Sequence, residues 1–104
     1  MPRSNQQSGS SPAAVTRVNT CEPEQYNVLF HNDDFTTMDF VVRVLEDVFD
    51  KTAPQAEAIM LQVHEQGCAV VGTYTYDMAM TRAATATHMA REQQFPLRIT
   101  VEQA

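Results

Sequence analysis

Two short stretches concentrate the side chains that could do chemistry: His31-Asn32-Asp33-Asp34, and Met60-x-x-Val63-His64. On a helix, Met60, Val63 and His64 stand at i, i+3 and i+4 and share one face, so an imidazole tip borders an apolar stripe. If that helix lay beside the first stretch, carboxylates, an amide and an imidazole would surround an apolar hollow. The same residue types allow a second chemistry, in which His31, Asp33, Asp34 and His64 ligate a metal in a small hydrolase, but their spacing matches no zinc motif. Plainer uses also exist. Asn-Asp-Asp before a helix serves a turn and an anionic first turn, a histidine near a helix C-terminus complements the dipole, and Met38 and Met60 can fill a core.

The elements that must position these residues follow from periodicity. Gln25 to His31 reads as a strand, with Tyr26, Val28 and Phe30 alternating against Asn27 and His31, while Leu29 suggests that both faces are partly covered. Thr36 followed by Asp39 resembles a variant capping box opening a helix whose stripe is Phe40, Val41, Val44, Leu45, Val48 and Phe49. A second helix starts at Thr52, with Pro54 in its first turn and Gln55 at its third position, buries Ala56, Ile59, Met60 and Val63, and stops at Gly67. Cys68 to Tyr74 reads as a buried strand with Cys68 as a small core residue. Thr75 then caps a third helix that places Ala79, Ala83, Ala86 and Ala90 on one face, and Leu97, Ile99 and Val101 alternate in a last strand. The order βααβαβ predicts an α+β domain with three helices on a small, mostly antiparallel three-stranded sheet.

Composition narrows the function classes. The chain has 104 residues and a formal net charge of −6, enough for one domain. Its single lysine, Lys51, and the absence of any basic cluster argue against a nucleic-acid partner, and no apolar run is long enough to span a membrane. All eight aromatic residues lie between Tyr26 and Phe95, whereas Met1 to Glu24 is poor in apolar side chains. Residues 1–24 are therefore expected to be a disordered tail, and 25–104 the folded domain. Charges in the tail cancel, so the acidity belongs to the domain and favours a cationic ligand. Two cysteines, Cys21 and Cys68, provide neither a disulfide framework nor a zinc motif. Residues 1–21 lack acids, as organelle-targeting segments do, but contain no secretory core, and the cytoplasm is the expected compartment. With no Gly-rich phosphate loop and no nucleophile in a recognisable turn, catalysis has little support, and neither cofactor nor metal is expected.

Four segments together resemble the ClpS family, adaptors of the ATP-dependent Clp protease: Asn-Asp-Asp-Phe-Thr-Thr-Met-Asp-Phe-Val (32–41), Ile-Met-Leu-Gln-Val-His-Glu-Gln-Gly (59–67), Gly-Thr-Tyr (72–74) and Phe-Pro-Leu (95–97). Their order and spacing cover the chain from about Gln25 onward. The resemblance implies a non-enzymatic adaptor that binds N-degron proteins through a free N-terminal Leu, Phe, Tyr or Trp and delivers them to a hexameric Clp unfoldase, which the tail helps to engage. It implies α-amine binding by Asn32, Asp33 and His64, and a side-chain pocket made of Thr36, Met38, Val41, Met60, Val63 and Leu97. Docking to the N-terminal domain of the unfoldase would fall to Asp77 and Arg82, where the family more often has Glu and Lys. Thr37 stands where family members vary between Pro and Thr.

Overall fold

Alternation in the first strand, broken only by Leu29, decides which side of the sheet is buried. The computed structural model describes residues 23–104 as β1 (Gln25–His31), α1 (Met38–Phe49), α2 (Ala53–Gln66), β2 (Cys68–Thr75), α3 (Tyr76–Glu92) and β3 (Arg98–Gln103). Strand order is β2-β1-β3, with both pairings antiparallel. The tail expected for residues 1–24 lies, as far as Glu22, outside the described residues. None of the described helices is long and apolar enough to cross a membrane.

Val28 and Phe30 of β1 and Ala69 and Val71 of β2 face the helices and are buried, with Phe30 set edge-to-face on Phe49 at 5.5 Å. Among the described residues, no helix covers the opposite face. It carries the Thr73–Asn27 hydrogen bond (2.7 Å) and the His31–Thr100 contact (2.8 Å), and Leu29 lies there opposite Val70. β2 is therefore an edge strand with one dry face, not the buried strand expected from its apolar run, and Cys68 is exposed. A bulge between Val28 and Leu29 of β1 shifts its register with β2.

Helix boundaries follow local chemistry. Thr52 and Gln55 form the reciprocal capping box, and Gly67 closes α2 at φ 89, a left-handed conformation that favours glycine. For α1 the cap is Thr37, whose hydroxyl accepts the Phe40 N–H at 3.2 Å. Thr36, the expected cap, has its hydroxyl committed to Asp33 instead. On α3 the four alanines are buried as their spacing requires, and their short side chains let the helix lie against all three strands.

Candidate functional site

Two helix ends and one strand end meet at a cavity of about 280 Å³. Asn32 follows directly on β1, and its backbone N–H donates to the Gly67 carbonyl at 2.8 Å. Gly67 is the cap of α2, and its own N–H returns to the Val63 carbonyl at 2.9 Å. Through this pair of bonds the strand end carrying Asn32 and Asp33 is fixed against the last turn of the helix carrying Val63 and His64. Asn32, Asp33, Asp34 and His64 line the polar part of the hollow, and Met38, Val41, Met60 and Val63 the apolar part, with Thr36 between them.

The loop from Asp33 to Thr36 is shaped by one carboxylate. Asp33 Oδ1 accepts the N–H of Phe35 at 2.8 Å and of Thr36 at 2.7 Å, while Oδ2 accepts the Thr36 hydroxyl at 2.7 Å. Burial by itself pushes this carboxyl up. The bonds from Thr36 and Phe35, with the positive charge of Arg91, outweigh it and hold Asp33 below its ordinary value. Asp33 is thus an anion that also builds the wall it belongs to.

Of the sequence-derived residues, eight of the nine proposed for the amine and side-chain pocket line this cavity. Leu97 is the exception: it is 1% exposed, packs in the core just before β3, and does not reach the hollow. Asp34, which the resemblance left out of the amine and side-chain pocket, also lines it. His31 does not, because it points to the open face of the sheet, with Nε2 2.8 Å from Thr100 Oγ1. The four residues named for a metal site therefore do not converge, and no three His, Cys, Asp or Glu side chains among the described residues group to hold an ion.

Asp77 is exposed in the first turn of α3. Arg82 is turned inward instead: its Nη1 donates to the Val48 carbonyl at 2.9 Å and to Asp50 Oδ2 at 3.2 Å, and its guanidinium stacks 5.0 Å from the Tyr74 ring centre. That guanidinium caps the C-terminal end of α1, where the helix carbonyls need donors. Sequence spacing gave no sign of this use.

A larger groove of about 660 Å³ runs between α3 and β3, but His88 is the only ionisable group on its rim. It offers apolar area without a carboxylate or an amide side chain. Among the described residues, the smaller cavity joins an apolar wall to an anion, an amide and an imidazole.

A family model described as "ATP-dependent Clp protease adaptor protein ClpS" matches residues 21–100. The chain is 50% identical over 82 residues to the ClpS adapter protein of Syntrophus aciditrophicus, covering 79% of this chain and 77% of that one. It is 45% identical over 102 residues to that of Desulfotalea psychrophila, covering 98% of both. Among solved structures it is similar to Agrobacterium tumefaciens ClpS2 bound to L-phenylalaninamide, with a TM-score of 0.77 at 37% identity, covering 80% of this chain and all of the other. By the family model, its relatives and its fold, the chain belongs to the ClpS family of Clp protease adaptors.

Proposed function

We propose that the cavity holds the free α-amine and the bulky apolar first side chain (Leu, Phe, Tyr or Trp) of N-degron proteins, and that the chain delivers them to a hexameric Clp unfoldase without catalysing a reaction. The observation that carries this reading is the union, in one hollow, of Asn32, Asp33 and His64 with the Met38, Val41, Met60 and Val63 wall. An ammonium has three donors, and burying it without acceptors is costly, so an anion, an amide oxygen and a neutral imidazole nitrogen form a matched set. L-Phenylalaninamide, the ligand of the similar ClpS2, presents a free amine beside a benzyl group and has no carboxylate to repel Asp33.

Both halves of the determinant are needed. An aromatic side chain buries ~150–250 Å², worth ~4–6 kcal/mol as an upper bound at ~25 cal/mol/Å². Association costs ~4 kcal/mol or more, so apolar burial leaves little surplus and the amine contacts decide whether binding is useful. For handover, Asp77 stands free on α3, and a role for Arg82 would require its guanidinium to serve Val48 and a partner together.

Titration of a Leu-initiated peptide, free and N-acetylated, tests the reading by fluorescence anisotropy. The free peptide is expected to bind at micromolar Kd and the acetylated one to lose binding; equal affinities would exclude amine recognition.

A further inference from the structure

None of the residues in the turn that closes α3 lines the cavity, yet the turn supports two of the cavity's walls. After Glu92 the backbone reverses through Gln93 and Gln94, the latter at φ 63. Bonds from Gln94 N–H to the Arg91 carbonyl (3.0 Å) and from Phe95 N–H to the Ala90 carbonyl (2.9 Å) close the reversal. Arg91 then reaches forward over it: Nη1 donates to the Phe95 carbonyl at 2.8 Å and to the Leu97 carbonyl at 2.9 Å. That nitrogen carries two hydrogens, and the two carbonyls take both.

Each clamped residue leads to one wall. The Phe95 ring sits edge-to-face on Phe40 at 5.0 Å, and Phe40 lies in the first turn of α1, which begins with Met38. Leu97 is buried and continues into Arg98, which pairs across the sheet with His31, the residue before Asn32. Arg91 thus lies where the support of the apolar wall and that of the amine-binding loop come together.

We propose that Arg91 is a positioning residue for the N-degron site, holding the start of α1 and the Asn32–Asp33 loop at the spacing the ligand needs by clamping the carbonyls of Phe95 and Leu97. The inference rests on the functional reading above. The charge of Arg91 acts in the same direction: against the upward push of burial, it joins the Thr36 and Phe35 bonds in keeping Asp33 anionic. A lysine would keep the charge and could donate to the carbonyls, but without the planar fork.

The test compares wild type, Arg91→Lys and Arg91→Met for binding of a labelled Phe-initiated peptide, each shown by thermal unfolding to be folded at the assay temperature. Arg91→Met is expected to weaken Kd roughly tenfold, the effect of one mispositioned hydrogen bond, and Arg91→Lys to stay within about threefold of wild type. A Met variant with wild-type Kd, or a Lys variant as weak as Met, would overturn the proposal; should the Met variant fail to fold, the Lys comparison and Arg91→Gln decide. A merely structural role would lower the melting temperature and leave Kd alone. In the ligand-free protein, Arg91→Met should also move the amide NMR resonances of Phe35 and Thr36, and unmoved resonances would equally overturn it. Failure of wild type to bind the peptide would count against the functional reading, while the NMR comparison would still judge Arg91.

Discussion

Asp33 closes on Thr36 twice, its Oδ1 accepting the Thr36 N–H and its Oδ2 the Thr36 hydroxyl, both at 2.7 Å. A carboxylate offers about four lone-pair sites. Thr36 and the Phe35 N–H occupy three, leaving one for a ligand ammonium. The acid therefore shapes the loop first and contributes charge to the site second.

That relationship predicts an acid-dependent stability. Asp33 has its folded-state carboxyl lowered, so its contribution is complete above the unfolded value of about 3.9 and is lost as pH falls through the lower folded value. Thr36→Val removes the hydroxyl donor at nearly constant volume and should move the Asp33 carboxyl up, costing ~1 kcal/mol at neutral pH. NMR titration of the Asp33 side chain, with urea unfolding at neutral and acid pH, checks both. The gap between variant and wild type should narrow as pH falls through the lowered Asp33 value.

His64→Ala should weaken peptide binding by ~1–3 kcal/mol, since a buried ammonium is left one acceptor short. Because His64 is exposed at the end of α2, the folded domain should keep its stability within about 0.5 kcal/mol. Anisotropy and thermal melts measure the two separately, and unchanged affinity would remove His64 from the site.

Met38 is nearly half exposed at 45% and lines the mouth of the cavity at the first residue of α1. Val and Ile branch at Cβ and cannot narrow there, whereas Leu and Phe branch later. Met38→Ala should admit Ile- and Val-initiated peptides while keeping Leu; continued rejection of both would place the selectivity elsewhere.

Arg82→Met keeps an unbranched apolar stem but removes the guanidinium from the Tyr74 ring and leaves the Val48 carbonyl without that donor. A loss of ~1–2 kcal/mol is expected, most of it from the carbonyl contact, because the Asp50 partner is 76% exposed and its ion pair is screened by solvent. The melting temperature should fall by ~4–8 °C per kcal/mol for a domain of this size, with peptide affinity unchanged. An unaltered melting point would show the guanidinium to be free for docking.

The sequence by itself determined the element order, the four alanines that seat α3, the Thr52 box, the Gly67 stop and most of the cavity lining. The elements follow from short-range periods and caps, which depend on residues within one or two turns of each other, whereas most of the cavity lining was legible through the resemblance to the ClpS family. Other features were decided only by the tertiary structure, because they depend on partners far apart in the chain. The strand order put β2 at an edge and the uncovered face left alternate residues and Cys68 exposed, since an apolar run does not say how many layers will cover it. Pairing with Thr100, 69 residues away, took His31 out of the site. Arg82 met Val48 across 34 residues, and Leu97 was drawn into the core one residue before its strand began. One feature that the sequence misassigned is local: Thr37, not Thr36, caps α1 by accepting the Phe40 N–H, while the Thr36 hydroxyl makes a charge-assisted bond to Asp33 three residues back.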